Sequence, residues 1–307
     1  MSDTELLKNI DERTRLAGTN KLEILMFSLG MDTRTQRREI YGINVFKVRE
    51  VMKAPPITRV PDLPKAVVGM VSLRGTIVPV VDIADYAGIL IETPPTILVV
   101  TEYNGHVQGF MVESVDTILR LDWSQMRVPP DMLTARSGGL VTSVTELEGG
   151  QLVMLLDVEK ILAETSNNDD EHRFAGVTPL TVANKRVFFA DDSSVARKQI
   201  ARTLSAMNIA GTDAINGKDA WIKLEAMASA KMLPDLILTD VEMPEMDGYM
   251  LTRKIKEDAR FKGIPVIMHS SLSGSSNQNL GMAVGVDEYV SKFEPQRLAQ
   301  TIKGFLE

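Results

Sequence analysis

Short apolar runs bounded by polar residues recur in the C-terminal part of the chain, at residues 186–190, 235–239 and 264–268, with a more polar one at 286–290. Runs of that length predict strands buried in a sheet. Between them, residues 195–207, 217–230 and 249–259 read as helices. Alternation of β with α predicts a parallel sheet covered by helices on both faces. The first half reads differently. Runs at residues 23–29, 41–45, 77–81, 96–100, 106–112 and 151–156 are separated at short intervals by glycine, proline and asparagine. That spacing predicts an all-β barrel or sandwich. Asn104-Gly105 predicts a hairpin turn, because this pair readily takes positive φ, and Leu6, Leu7, Ile10 and Leu16 predict an amphipathic N-terminal helix. Polar residues replace any apolar period between the two patterns, which predicts a domain at 1–165, a linker at 166–182 and a second domain at 183–307.

At 307 residues the chain can hold two domains, each with its own core. No apolar run of about 18 residues occurs, and residues 1–12 are polar and acidic, so neither a membrane span nor a signal peptide is expected. A soluble, cytoplasmic protein is the expectation. With no cysteine there is no disulfide, thiolate nucleophile or cysteine metal site. The three histidines, His106, His172 and His269, are too scattered to suggest a metal centre, and His269 reads as a strand residue. Charge narrows the class further. Residues 183–307 hold 16 Lys and Arg against 16 Asp and Glu, so the whole formal charge of −7 lies in the first 182 residues. Neither half offers the basic face that nucleic acid requires, and with the chain stopping at Glu307 no C-terminal DNA-binding output domain is expected.

The chemistry gathers where the C-terminal runs end. Asp191-Asp192, Asp240, Ser270 and Lys292 each follow one of the four runs, and in a parallel α/β sheet the carboxyl ends of the strands are where ligands bind. Three crowded carboxylates repel one another, and a hard, oxygen-seeking divalent cation, Mg²⁺ above all, is the usual relief. One carboxylate can then act as a nucleophile towards a phosphoryl group, with a lysine neutralising the phosphoryl oxygens and a hydroxyl hydrogen-bonding them.

These positions, with Asp240-Val241-Glu242-Met243-Pro244-Glu245-Met246-Asp247-Gly248, closely resemble the receiver domain of two-component response regulators over about residues 183–307. The resemblance implies a doubly wound, flavodoxin-like α/β fold. It makes Asp240 the phosphoacceptor, and Asp191 and Asp192, with Asp240 and the backbone carbonyl of Glu242, the Mg²⁺ site. Ser270 takes the place of the switch hydroxyl, Tyr289 that of the switch aromatic and Lys292 that of the family's lysine. Phe293 stands where the family commonly has a proline, so a trans Lys292-Phe293 bond is expected, the cis form costing roughly 3–4 kcal/mol. Glu242 and Leu272 occupy places where the family varies.

The first half contains no phosphate loop, hydrolase constellation or zinc motif, which points to binding rather than catalysis. Val71-Ser72-Leu73-Arg74-Gly75-Thr76-Ile77-Val78-Pro79-Val80-Val81-Asp82 looks like the hallmark segment of CheW-like coupling domains, supported by Phe27-Ser28-Leu29, Tyr41-Gly42-Ile43, Val48-Arg49-Glu50-Val51 and the closing Leu155-Leu156-Asp157. This resemblance spans about residues 22–162 and implies paired small β-barrels, with Arg74 as a partner-binding residue. Residues 32–39 are a polar insertion, expected to lengthen a hairpin loop. Val45, Val48 and Val51 suit either a partner surface or, more readily, the core.

A CheW-like domain followed by a receiver resembles the CheV family of chemotaxis proteins. The resemblance implies a multidomain adaptor, not a conventional enzyme, that couples methyl-accepting chemoreceptors to the histidine kinase CheA. CheW is a further candidate partner. The adaptor would sit at cytoplasmic receptor arrays, its coupling modulated by phosphorylation of Asp240. The alternative is a sink for phosphoryl groups drawn from CheA.

Overall fold

The computed structural model describes residues 21–103, 106–130, 139–165, 174, 176–271, 281–292 and 294–307. The expected N-terminal helix, the Asn104-Gly105 turn, most of the linker, His172, Leu272 and Phe293 lie outside these residues. The chain forms two compact units, one of residues 1–122 and 126–167, the other of residues 168–307 with 123–125.

The first unit contains strands β1 (Lys21–Ser28), β2 (Ile40–Asn44), β3 (Val48–Lys53), β4 (Val67–Leu73), β5 (Thr76–Asp82), β6 (Ile97–Tyr103), β7 (His106–Val112), β8 (Ser114–Asp122), β9 (Val141–Glu146) and β10 (Leu152–Leu156), with helices α1 (Ile83–Ala87) and α2 (Val158–Thr165). They make two five-stranded sheets, ordered β8-β1-β2-β10-β9 and β3-β6-β7-β5-β4. Each sheet is drawn shut by one bridge between its outer strands. Thr58, beyond β3, exchanges two 2.9 Å backbone hydrogen bonds with Met70 of β4, and Arg127, beyond β8, exchanges bonds of 2.9 and 2.8 Å with Val144 of β9. Closure of this kind leaves no long exposed edge. Gly69 is needed where the second sheet closes: its φ is +147°, and a Cβ there would lie 2.3 Å from the Thr58 carbonyl oxygen.

Period-two alternation sorts the side chains. Along β6, Val99 joins a core shared by both sheets with Phe27, Ile43 and Phe110, while Leu98 and Val100 enclose a separate core with Val71, Val78 and Val80. Val45 and Val48 lie in the shared core and Val51 packs against it, so they are structural. The insertion at 32–39 lies between the antiparallel β1 and β2 and carries its own bridge, Asp32 to Arg37.

The second unit is β11 (Arg186–Ala190), α3 (Ser194–Ala206), β12 (Ala210–Ala214), α4 (Gly217–Ser229), β13 (Leu236–Thr239), α5 (Gly248–Glu257), β14 (Val266–Ser270), β15 (Glu288–Ser291) and α6 (Pro295–Leu306). Its sheet is wholly parallel, ordered β12-β11-β13-β14-β15. Val187 and Phe189 face a core with Ile200, Leu204, Leu298 and Ile302, whereas Phe188 and Ala190 face one with Leu224, Leu251 and Ile255. Helices α3 and α6 therefore cover one face and α4 and α5 the other. Burying a side chain such as Phe188, fully inaccessible, is worth roughly 1.5–3 kcal/mol.

Strand β14 starts at Val266, after Pro265, which has no N–H to give to the ladder, and runs two residues beyond the apolar run 264–268 because His269 and Ser270 pair with Val290 and Ser291 of β15. The shift makes Ser270 the last residue of the strand.

Candidate functional site

In the second unit the strand order reverses between β11 and β13, so a crevice opens at their carboxyl ends. Register decides what lines it. Ala190 pairs with Thr239, which sets Asp191 beside Asp240, and Ser270 pairs with Ser291, which sets Lys292 beside Ser270. Gly248 lets the loop after β13 fold tightly, since a Cβ on it would fall 1.9 Å from the Asp240 carbonyl oxygen. Asp247 then caps α5, its Oδ1 accepting from the Met250 N–H at 2.7 Å.

Each buried carboxylate is held from two sides. Asp240 Oδ1 accepts from its neighbour Val241 N–H at 2.7 Å and Oδ2 meets Lys292 Nζ at 3.0 Å. Asp191 Oδ1 accepts from Ser193 N–H at 2.9 Å and Oδ2 meets Lys292 Nζ at 2.9 Å. Asp191, Asp240 and Lys292 are 0%, 3% and 2% exposed. Asp192 is half-buried at the rim, and carboxylate oxygens of Asp191, Asp192 and Asp240 lie within 4.8 Å of one another. Like charges at that separation repel by roughly 3–4 kcal/mol per pair at an effective dielectric near 20. One ammonium offsets only part of this. The donor set, all carboxylate oxygen, suits a hard divalent cation such as Mg²⁺.

Ser270 is fully buried at the end of β14. Its side chain hydrogen-bonds the Tyr289 phenol, whose proton is held mainly by burial and then by the nearby charges of Asp240 and Glu242. The site residues expected from the sequence on these four strands are thus brought together. Two more belong with them. Arg197, in the first turn of α3, donates to the backbone carbonyls of Asp191 at 2.7 Å and Asp192 at 3.0 Å while pairing with Asp213 at 3.5 Å, so it braces the acidic loop. Its place one helical turn into α3, beyond the Asp191-Asp192 pair, was the available signal. Tyr249, at the start of α5, is 8% exposed and packs with Val241, Met268, Val286 and Tyr289. Nothing in the linear sequence marked it.

Arg74 belongs to the first unit. It sits at positive φ (49°) with Gly75 (85°) in the two-residue turn joining β4 to β5. Its side chain is 73% exposed, and its guanidinium meets Glu50 Oε2 at 2.8 Å. Glu50 itself is buried, so the pair is solvated on the arginine side alone, and the guanidinium that offsets the buried carboxylate keeps its other nitrogens turned to solvent.

Comparison with known proteins agrees with both halves. The CheW-like domain family matches residues 23–166 and the response regulator receiver domain family matches residues 187–303. Chemotaxis protein CheV3 of Helicobacter pylori is 32% identical over 309 residues, spanning 94% of this chain and 96% of its own length. Chemotaxis protein CheW of Klebsiella aerogenes is 31% identical over 154 residues, 49% of this chain and 87% of its own. Chemotaxis protein CheY1 of Helicobacter pylori is 38% identical over 120 residues, 38% of this chain and 94% of its own. Fold and site therefore define a two-domain signalling protein, a CheW-like domain joined to a response-regulator receiver. Similarity along nearly the whole length is more specific still: the chain belongs to the CheV family of chemotaxis proteins.

Proposed function

We propose that this chemotaxis coupling adaptor joins chemoreceptors to the histidine kinase CheA and that phosphorylation of Asp240 modulates the coupling. The observation that carries the reading is a buried carboxylate at the sheet's switch point, beside two further aspartates and touched by a buried lysine. Asp191, Asp192 and Asp240, with the Glu242 backbone carbonyl, would hold Mg²⁺, which supplies charge neutralisation for incoming phosphoryl oxygens. Asp240 attacks the phosphorus of a phosphodonor, forming the acyl phosphate as the donor bond breaks. Lys292 then pairs with a phosphoryl oxygen, Ser270 donates its hydroxyl to another, and Tyr289 follows Ser270. The adaptor acts at cytoplasmic receptor arrays and catalyses nothing beyond the gain and loss of its own phosphoryl group. Residues 1–165 carry the coupling function, 183–307 the receiver, and 166–182 link them.

The direct test is the affinity of the full chain for CheA and receptor, with and without Mg²⁺ and the phosphoryl analogue beryllium fluoride. A coupling free energy of about 1–3 kcal/mol predicts a change of roughly 5–150-fold. Equal affinities, combined with rapid turnover of the acyl phosphate, would favour the phosphate sink instead.

Asp192 is the rim carboxylate, and Asp192→Asn is expected to abolish both Mg²⁺ binding, read by calorimetry, and phosphorylation by a small phosphodonor. Undiminished phosphorylation would remove Asp192 from the metal set. On the coupling domain, Arg74→Glu reverses the charge that this exposed turn would offer a partner's carboxylate and is expected to weaken kinase or receptor binding at least tenfold, given that like charges juxtaposed at an interface cost several kcal/mol. Binding indifferent to that reversal would move the contact surface away from this turn.

A further inference from the structure

A cavity of about 690 Å³ opens in the first unit beside α1 and α2. Ala66, Ile89, Leu140 and Val141 line it and belong to, or pack against, the core shared by the two sheets. Small-molecule sites have this size, an apolar lining and a few polar groups that fix orientation. Some of the polar groups here are already engaged: Glu164 of α2 accepts from the Tyr86 hydroxyl and pairs with Lys160. Two others are not. Lys65 and Tyr41 also line the cavity, and among the described residues neither the Lys65 ammonium nor the Tyr41 hydroxyl has a hydrogen-bond or ion-pair partner. Lys65 is the second residue of a turn closed by the Val67 N–H on the Pro64 carbonyl at 3.1 Å, and the third, Ala66, sits at φ +69°. Glycine is usual at that place, and strain held by a residue other than glycine is a mark of functional positions. The Ala66 carbonyl accepts from Asp82 N–H at 2.9 Å, which fastens the turn to the start of α1. The Tyr41 ring is stacked on the buried Phe27, centroids 6.3 Å apart. Its phenol is pushed up to about 12 by burial and then by the carboxylates of Glu39 and Asp32, so it remains a donor.

We propose that this cavity binds a small organic acid, its apolar body against Ile89, Leu140 and Val141 and its carboxylate between the Lys65 ammonium and the Tyr41 hydroxyl. Two donors without an acceptor, one of them charged, match the two oxygens of a carboxylate. The nearby carboxylates leave that charge uncancelled: Glu164 is offset by Lys160 and Asp32 by Arg34, while Glu39 is not among the residues lining the cavity. A neutral ligand would fill the volume without a counter-charge for Lys65, and a cation would be repelled by it. The site is independent of the phosphorylation reading and gives the coupling domain an input of its own.

Incorporating 3-fluorotyrosine into the full chain gives one fluorine signal for each of the five tyrosines. Tyr41 and Tyr86 line the cavity, and Tyr41→Phe and Tyr86→Phe assign their signals. The probes are 4-phenylbutyrate and its neutral analogue 4-phenylbutanol. The acid is expected to move the Tyr41 and Tyr86 signals and leave the other tyrosines in place, and the alcohol to bind at least about tenfold more weakly, the scale of one hydrogen bond to a charged group. Lys65→Met, which removes the ammonium and keeps the length, and Tyr41→Phe, read at Tyr86, are each expected to weaken the acid by about fivefold or more and leave the alcohol unchanged. Equal binding of acid and alcohol, or acid binding indifferent to both substitutions, overturns the carboxylate site. Signals that stay still with both probes overturn it too, and if CheA or receptor then moves them the cavity takes a segment of a partner protein instead.

Discussion

Replacing Asp240 with asparagine is expected to eliminate phosphorylation altogether and leave basal coupling untouched. The Asp240 carboxylate is held at one oxygen by a backbone N–H, at 2.7 Å, and at the other by a buried ammonium, at 3.0 Å. An amide nitrogen in its place is no nucleophile, so no acyl phosphate forms from CheA or from a small phosphodonor. The fold survives, because the substitution removes one of three mutually repelling carboxylates and keeps the shape of the side chain. Incorporation of labelled phosphate should fall to background, while affinity for CheA and receptor stays at the level of the unphosphorylated wild type and ceases to respond to phosphodonor. Label retained in Asp240→Asn would mean that another group accepts the phosphoryl, and coupling lost in the same variant would mean that the receiver does more than regulate.

Lys292→Met is expected to be the most destabilising single change at the site when metal is absent. The ammonium lies 2.9 Å from Asp191 and 3.0 Å from Asp240, all three groups being almost inaccessible to water. Removing one member of such a buried cluster leaves the remaining charges uncompensated, a loss of about 3–5 kcal/mol. For a domain of this size that corresponds to a fall of roughly 10–20 °C in the receiver's Tm. Methionine fills the volume of the lost side chain, so the effect is one of charge. Mg²⁺ binds only the folded site and should therefore restore more stability to the variant than it adds to the wild type. Thermal unfolding with Mg²⁺ or with chelator tests this, and an unchanged Tm in chelator would show that the ammonium does not offset the carboxylate charge.

The apolar runs located every strand that has a neighbour on both sides and missed all but one of those that do not. In the first unit, β1, β2, β5, β6, β7 and β10 all occupy inner places in their sheets, and each was marked by a run. The strands without one, β3, β4, β8 and β9, are the outer strands of the two sheets, and β12, whose Ala-Gly-Thr-Asp-Ala is largely exposed, is one of the two outer strands of the receiver; the other, β15, was marked only by the more polar run at 286–290. An outer strand is solvated along part of its length, so its sequence need not be apolar and its pattern fades.

The site divides along a similar line. Asp191, Asp192, Asp240, Ser270 and Lys292 were legible because a parallel sheet places the ends of all its strands along one edge, so position after a strand is enough to assign them there. Arg197 and Tyr249 act from helices, and which helical residue reaches a strand end depends on how that helix packs. The sequence by itself determined the two kinds of domain, their order, and the group of acidic, hydroxyl and basic residues at one sheet edge. Only the tertiary structure decided that single bridges at Thr58 and Arg127 close the two sheets, that Lys292 spans Asp191 and Asp240, and that Tyr249 shares a pocket with Tyr289. Local pattern records burial and periodicity along the chain, whereas closure, ion pairing and ring packing depend on distances between residues far apart in sequence, which only the folded chain sets.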